Sequence, residues 1–381
     1  MMRPTRIAAF SVAAVTIPAP AFAHVKWFSE FSFADPPRSL MEVITPTFVA
    51  LALLSIIIVA ALVPAERWLE RNPAYARLNA WLEVRADRSR LVMRVGTGMV
   101  LLLAWQANLV LVPDLPIPAP WVGWLEFLLA GLLLFEAATA LAGVGLLILY
   151  IMGINEAGIY YMLDYALVAG VAYYLIATGS RKAKVAGSAL PALYATVGFS
   201  LCWVALEKMV WPDWGLYVLQ ENPQLAFGLP LDFFLLAAAF IEFCLGYLLI
   251  INLLQRPMAL VITLTFFLTT LVFGKTEVIG HTLIHAALIV FLLEGPGHAF
   301  RPPISIHRRT GMRAVFAAAN LVILLAILLP VYAMGAAAMH RNAMPQGVSG
   351  GGIALSDWAA EGSGGAGDED AGKSNELRSP P

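Results

Sequence analysis

Long apolar stretches recur along almost the whole chain, and they constrain its fold more than any other feature of the sequence. A stretch of about 20 apolar residues can cross the hydrocarbon core of a membrane as a helix. The composition agrees, because 60% of the 381 residues are hydrophobic and only 13% are charged. The sequence therefore predicts an all-α, polytopic transmembrane bundle. We expect about ten spans, at 47–63, 91–112, 121–139, 141–154, 157–178, 189–210, 231–254, 258–273, 277–294 and 314–335.

The first 23 residues have the pattern of a secretion signal. Arg3 and Arg6 supply the basic start, residues 7–17 the apolar core, and Ala21-Phe22-Ala23 the small-x-small cleavage site. We expect cleavage after Ala23, which makes His24 the first residue of the mature chain. The alternative is an uncleaved first span, which the short apolar stretch disfavours.

Basic residues are concentrated in the loops on one side of the predicted bundle. The loops 65–90, 181–184 and 301–313 carry most of them, whereas 113–120, 155–156 and 211–230 contain no Lys or Arg. Because positively charged loops stay in the cytoplasm, the mature N-terminus is predicted in the periplasm of a bacterial inner membrane. Trp121, Trp124, Trp211 and Trp214 would then form an aromatic belt at the outer interface.

The predicted spans and loops divide the chain into seven parts. We expect a signal peptide at 1–23, a periplasmic segment at 24–46, and a first span with a cytoplasmic amphipathic loop at 47–90. Two four-helix units follow at 91–185 and 186–300, then a last span at 301–340 and a disordered tail at 341–381 rich in Gly, Ser and acidic residues. The short span 141–154 leaves open a kink or a re-entrant turn near Ala140.

Two halves of the membrane region are similar to each other. The stretch "RVGTGMVLLLAWQANLVLVPD" at 94–114 parallels "TVGFSLCWVALEKMVWPD" at 196–213. Next, "LLLFEAATALAGVG" at 132–145 parallels "AAFIEFCLGYLLI" at 238–250, which aligns Glu136 with Glu242. Both copies start on the inside, so the sequence predicts a parallel duplication of a four-helix unit.

The second copy carries an ordered series of residues: Gly198, Lys208, Glu242, Gly246, Arg256 and Gly295-Pro296-Gly297. This series resembles the DoxX/DoxD-like membrane proteins, and the similarity covers about 190–300 and extends more faintly over 91–180. That family consists of four-helix units and includes the quinone-reducing subunits of thiosulfate oxidation, so the resemblance implies a quinone-linked redox role.

Ionisable residues inside predicted spans are candidates for catalysis, because burying them in hydrocarbon is unfavourable. Glu136 and Asp164 are such residues in the first unit. Glu242 lies halfway along a span of the second unit, where it can relay protons, contact a quinone headgroup, or hydrogen-bond a neighbouring helix. Glu207 and Lys208 lie near the outer end of their span, where an interfacial anchor is an equally good interpretation.

Histidines on the outer side suggest a second kind of site. His281 and His285 lie one helical turn apart, and Glu277 extends the same face towards the outer surface. This face can bind a cofactor such as a quinone or a metal ion such as copper, or simply bond neighbouring helices. A mature N-terminal His24 would offer its α-amine and its imidazole to the same ion, unless its place after the cleavage site is incidental.

Three functions remain open at this point. The first is a quinone-linked membrane redox component that works with a periplasmic or membrane redox partner. The second is a periplasm-facing copper-binding or metal-transport protein that uses His24, Glu277, His281 and His285. The third is a non-catalytic assembly subunit. Nucleic-acid binding is not expected, since the basic residues are spread over short loops, and Cys202 and Cys244 are expected to serve packing.

Overall fold

The computed structural model describes residues 24–296 and 309–344, and this part of the chain is helical, without a strand. The predicted signal peptide and residues 345–381 of the predicted tail lie outside it. Its α-helices are α1 (Leu40–Val43), α2 (Pro46–Glu70), α3 (Pro73–Glu83), α4 (Ser89–Ala107), α5 (Pro120–Leu132), α6 (Thr139–Ala157), α7 (Ile159–Met162), α8 (Ala166–Ala177), α9 (Ala183–Val210), α10 (Pro212–Glu221), α11 (Leu231–Ile250), α12 (Gln255–Phe273), α13 (Lys275–Glu294) and α14 (Thr310–Ala343).

Eight helical segments of the described chain are long and apolar enough to cross a membrane, which confirms the predicted polytopic bundle. Two of them include short 3-10 turns that continue into α6 and α8. The remaining two predicted spans correspond to α4, which carries Arg90 and Arg94, and to α5. The segments are Pro46–Glu70, Glu136–Ala157, Ile159–Ala177, Ala183–Val210, Leu231–Ile250, Gln255–Phe273, Lys275–Glu294 and Thr310–Ala343.

Three predicted boundaries are wrong. The predicted span 121–139 is a helix of only 13 residues, α5, followed by a turn at Leu133–Phe135. The predicted short span 141–154 is instead a helix of 19 residues, α6, so it needs no re-entrant turn. The last helix continues to Ala343, three residues into the predicted tail.

The helices of the two predicted units make corresponding contacts. In the first, α4 packs against α5 and α6 against α8; in the second, α9 packs against α11 and α12 against α13. The two groups meet where α4 packs against α13 and α8 against α9. The last apolar segment of each group, Ile159–Ala177 and Lys275–Glu294, begins after a glycine with positive φ, Gly158 (85°) and Gly274 (65°), a conformation that L side chains rarely adopt.

Helices α9 and α11 approach each other closely at two glycines. A Cβ on Gly198 would clash with the backbone oxygen of Gly246, and a Cβ on Gly246 would clash with that of Gly198. Small residues allow helix backbones to approach in this way, which brings the side chains farther along both helices into contact. Lys208 and Glu242 are therefore held on rigid, closely packed helices.

Helices α2 and α14 pack against each other and against the second group of helices. Thr45 caps α2 by accepting a hydrogen bond from the Phe48 N–H, and Pro46 occupies the first turn, where no backbone donor is needed. Asn72 and Pro73 begin α3 in the same manner. The predicted helix in the loop 65–90 is thus present as α3.

Candidate functional site

Residues 24–38 pack into one end of the bundle, and we call them the N-terminal plug. The plug begins with a 3-10 turn at Val25–Trp27 and ends where the Arg38 N–H donates to the Val210 carbonyl over 2.8 Å. Phe31 and Phe33 pack at tilted angles against the rings of Trp214 and Trp211, at the start of α10 and the end of α9. Trp211 and Trp214 are buried under this plug, so the prediction that both belong to an exposed aromatic belt is wrong.

Lys26 connects the plug to two helices of the bundle. Its Nζ lies 2.5 Å from Oδ2 of Asp164 and 2.6 Å from Oε2 of Glu207, and all three side chains are almost completely buried. Burial alone would lower the pKa of Lys26, but Asp164 and Glu207 raise it above its usual value. Lys26 is therefore a permanent cation, paired with one carboxylate from each half of the bundle.

Lys208 and Glu242 form a second buried pair. Lys208 Nζ lies 2.7 Å from Glu242 Oε2, and the two residues are 2% exposed. Of the two interpretations left open for Lys208, the interfacial anchor is wrong, because its side chain contacts Glu242 on α11. Glu207 is not an anchor either, since it is buried against Lys26.

Glu277 and His281 form a third pair one helical turn apart on α13. His281 Nδ1 contacts Glu277 Oε2, and the imidazole stacks on Phe266 at a ring distance of 4.1 Å. Glu277 is fully buried and also lies 3.3 Å from the Thr269 hydroxyl, which donates to it. Glu277 therefore belongs to the interior of the bundle and not to its outer surface, where it had been predicted.

His24 is stacked between two aromatic rings at the start of the plug. Its ring centre lies 4.7 Å from that of Trp27 and 5.1 Å from that of Tyr165, and its buried Nδ1 has no hydrogen-bond partner among the described residues. Burial lowers the pKa of His24 well below its ordinary value, and Lys26, Lys208 and His281 lower it further. His24 is consequently a neutral imidazole at pH 7.

A carboxylate from the loop between α4 and α5 completes the cluster. Tyr165 Oη donates to Asp114 and accepts from the Trp27 indole N–H over 2.9 Å, and Tyr161 also donates to Asp114. The chain Trp27–Tyr165–Asp114 thus connects the plug to the first group of helices. Burial raises the pKa of the Asp114 carboxyl, which these donors partly offset.

Two cavities of different size adjoin the cluster. The smaller, about 40 Å³, is lined by His24, Asp164, Glu242 and His281 and has room for a few water molecules. The larger, about 400 Å³, lies between the chain around Arg38–Thr47, the end of α9 and the start of α11, and its walls include Lys208, Phe233 and Leu236. Lys208 lines the larger cavity and contacts Glu242 on the smaller, so this pair separates the two spaces.

Two of the predicted site residues lie apart from the cluster. Glu136 begins a 3-10 turn between α5 and α6, where its exposed carboxylate lies 3.0 Å from Arg90; it is not a buried group of the bundle. His285 packs against Phe266 and Phe267 and does not line the smaller cavity. Within the described chain, no group of three or more His, Cys, Asp or Glu side chains is arranged to hold a metal ion.

Glu126 is the buried carboxylate of the first unit that the sequence comparison missed. It is fully buried on α5 and accepts a hydrogen bond from the Leu111 N–H over 3.0 Å. The stretch "LEFLLAG" at 125–131 matches "IEFCLGY" at 241–247, which aligns Glu126 rather than Glu136 with Glu242. The residue that then corresponds to Lys208 on α4 is Gln106, so Glu126 has no cation.

The family model described as DoxX matches residues 196–275. This segment runs from the middle of α9 to the first residue of α13 and contains Lys208 and Glu242, as the resemblance in the second half of the chain predicted. The plug, Asp164 and His281 lie outside it. Comparisons with curated proteins and with solved structures gave no match. The chain is therefore a multi-pass membrane protein with a DoxX-like segment in its second half.

Proposed function

Starting from the DoxX-like segment, we propose that this protein is a quinone-linked redox component of a bacterial inner membrane. The observation that carries the proposal is the position of Lys208. Its side chain lines the cavity of about 400 Å³, and its ammonium group holds the buried carboxylate of Glu242. In the proposed site, the larger cavity therefore lies next to Glu242, which can exchange a proton with a bound ligand.

The larger cavity is suited to a quinone headgroup, whereas the smaller is not. Small-molecule sites usually have volumes of about 300–1,000 Å³ and apolar walls with a few polar groups. The larger cavity has such walls, with Arg38 and Lys208 as cationic donors and Asp232 as an acceptor, and a quinone carbonyl can accept from the cations. A space of about 40 Å³ accommodates only water. We therefore assign the ligand to the larger cavity.

The residues of the chain have separate roles in this proposal. A bound quinone supplies the capacity to carry two electrons and two protons. Lys208 would hold the carbonyl end, and the carboxylate of Glu242, paired with Lys208, would accept and pass on a proton. The smaller cavity is lined by Glu242, Asp164 and His281 and has room for water, which would extend the proton path towards the plug. The electrons come from a periplasmic or membrane-bound redox partner.

The proposed orientation places the plug in the periplasm. What supports this orientation is that the basic residues at 181–184 lie at the start of α9, whereas the plug contacts the opposite end of that helix, at Val210. The large cavity then opens on the periplasmic side, where the proposed partner delivers electrons. A sulfhydryl reagent that cannot cross the membrane should reach Glu30→Cys from outside in intact spheroplasts.

The test is a quinone analysis of the purified protein with two tryptophan variants. We expect about one quinone per chain in the wild type. Leu236→Trp fills the larger cavity and should remove the quinone, whereas the control Leu271→Trp lies on an exposed face of α12 and should retain it. A wild-type protein without quinone, or Leu236→Trp with the wild-type amount, would contradict the proposal.

Copper binding is the second candidate function. It is favoured by the unpartnered Nδ1 of His24, which lines the same small cavity as His281. The predicted ligands His285 and Glu277 do not line this cavity; His285 lies among phenylalanines, and Glu277 contacts His281 from outside the cavity wall. Elemental analysis of the same purified protein decides between quinone binding and copper binding. Stoichiometric copper that is lost in His24→Ala favours the copper candidate. A stable partner without quinone or metal would favour the assembly subunit.

A further inference from the structure

A further cavity, of about 220 Å³, lies between the end of α2, helix α3 and the chain that joins α11 to α12, and we call it the α3 cavity. Asp232 and Leu236, at the start of α11, line the larger cavity described above, whereas Asn252, just after the end of α11, lines the α3 cavity. Because α11 has 20 residues and is therefore about 30 Å long, the two cavities are separate sites.

Three side-chain oxygens on the wall of the α3 cavity are open acceptors. Asn252 and Gln255 are only 7% and 3% exposed, and their amide NH₂ groups donate to the carbonyls of Pro296 and Leu249 over 2.7 and 3.0 Å. This leaves Asn252 Oδ1 and Gln255 Oε1 buried without a hydrogen-bond partner among the described residues, and the same holds for Asn79 Oδ1 on α3. Buried polar groups are normally hydrogen-bonded, so three open acceptors on one cavity indicate a ligand that donates.

The charges around the α3 cavity favour a cationic ligand. Glu66 lies 2.9 Å from Arg313 and Glu83 lies 3.4 Å from Arg256, so these two carboxylates are already paired. Arg256 also donates to two carbonyls of α13. Glu70 lines the same cavity and forms no salt bridge within the described chain. The walls therefore offer one unpaired carboxylate beside three neutral oxygens.

We propose that the α3 cavity binds a primary ammonium group. An ammonium has three N–H donors and no acceptor, which matches the three open oxygens, and its positive charge matches Glu70. A bare Ca²⁺ or Mg²⁺ ion fits less well, because proteins usually bind these ions through several carboxylates or ordered waters in a compact shell. This inference does not depend on quinone binding.

Helix α3 places the cavity at the depth of lipid headgroups. Its residues Tyr75, Asn79 and Glu83, at i, i+4 and i+8, line the cavity, whereas Leu78 and Trp81 are 51% and 55% exposed. Exposed apolar side chains on a short amphipathic helix are typical of a helix that rests in the membrane interface. A primary ammonium can reach the cavity from two sources there, the headgroup of phosphatidylethanolamine or a soluble diamine such as putrescine.

The first test measures thermal unfolding of the full chain in detergent micelles that contain one added lipid. Phosphatidylcholine carries the phosphate and the positive charge of phosphatidylethanolamine but has no N–H donor, and phosphatidylglycerol has no amine. We expect phosphatidylethanolamine to raise the unfolding temperature and to bind about tenfold or more tightly than either control lipid. Putrescine, added to micelles without lipid, distinguishes the sources: a rise with putrescine alone assigns the site to a soluble amine, and a rise with phosphatidylethanolamine alone assigns it to the lipid.

The second test uses variants at positions that are not deeply buried, so that folding is preserved. Asn79→Leu and Glu70→Gln each remove one proposed partner and should weaken binding of the amine by about tenfold. Asn320→Leu and Glu136→Gln lie outside the cavity and should bind it like the wild type. The inference is overturned if phosphatidylcholine stabilises the protein as much as phosphatidylethanolamine, if neither amine binds, if Ca²⁺ or Mg²⁺ stabilises it in place of an amine, or if the control variants lose binding equally.

Discussion

Lys208 Nζ lies 2.7 Å from Glu242 Oε2, although the two residues are 34 positions apart and lie on different helices. The contact exists because α9 and α11 cross closely at Gly198 and Gly246, which leaves both long side chains facing each other inside the bundle. Without its partner, either charge would be buried alone. This pair therefore links the stability of the DoxX-like segment to its proposed proton chemistry.

Removing one member of the pair should destabilise the protein more than removing both. We expect Lys208→Met to lower the free energy of unfolding by about 3–5 kcal/mol, because it leaves a buried carboxylate without a cation. Lys208→Met combined with Glu242→Gln should recover part of this loss. Thermal unfolding of the detergent-solubilised variants measures the effect, and equal losses in the single and double variants would contradict it.

Glu126→Gln is the matched control for Glu242→Gln. Glu126 accepts from the Leu111 N–H and has no cation beside it, so a glutamine oxygen can replace its acceptor without leaving an unpaired charge. We expect a change in stability of less than about 1 kcal/mol and unchanged quinone retention. If Glu126→Gln reduced quinone as poorly as Glu242→Gln, the first unit would also contain a functional site.

Lys26 should hold the plug in the bundle. In Lys26→Met, Asp164 and Glu207 lose the cation that lies 2.5 and 2.6 Å from them and repel each other. We expect Val25→Cys, a cysteine at a buried position of the plug, to become at least tenfold more reactive towards maleimide in this variant. Lys275→Met is the control, because Lys275 is an exposed lysine at the start of α13. The same increase in Val25→Cys reactivity in Lys275→Met would mean that loss of any positive charge releases the plug.

Gly198 should tolerate no side chain. A Cβ there clashes with the Gly246 backbone oxygen, and backbone cannot move aside as a flexible side chain can. We expect Gly198→Ala to lower the free energy of unfolding by at least 1–3 kcal/mol, the usual range for overpacking. Gly131→Ala, on α5, has open space around the new methyl group and should be neutral or slightly stabilising. Equal effects of both variants would argue against the close crossing.

The sequence predicts the helices well because apolar length alone defines a membrane span. It places Glu242 inside the bundle for the same reason, since an isolated carboxylate in an apolar run is conspicuous. It fails where a partner is distant in the chain. Lys208 near a helix end has the pattern of an interfacial anchor until α11 brings Glu242 beside it.

The same limitation explains the errors at Glu136 and at the plug. Aligning Glu136 with Glu242 satisfied the order of the repeat but missed the match of "LEFLLAG" at 125–131 with "IEFCLGY" at 241–247, and the burial of Glu126 agrees with that match. An aromatic segment after a secretion signal can lie on the membrane or inside the protein. Its contacts with Asp164 and Glu207, 138 and 181 positions beyond Lys26, are set by tertiary packing that no local pattern contains.

His24 should make insertion of the plug dependent on pH. Burial, then Lys26, Lys208 and His281, lower the pKa of His24 in the folded protein, and this direction holds although Asp164 and Glu242 line the same cavity. The free imidazole, with a pKa near 6.5, binds a proton more readily than the buried one. Insertion is therefore fully favourable above pH 6.5 and is progressively lost as the pH falls below it.

The measurement is the maleimide reactivity of Val25→Cys between pH 8 and pH 5, divided by that of Glu30→Cys to remove the pH dependence of the thiol. We expect a several-fold rise in this ratio below about pH 6.5. His24→Phe keeps an aromatic ring between Trp27 and Tyr165 without a titrating nitrogen, so the rise should disappear.

His340, whose Nδ1 lies 3.0 Å from the Phe33 carbonyl, also touches the plug. If His340→Gln removes the rise and His24→Phe does not, the pH dependence belongs to His340 and not to His24.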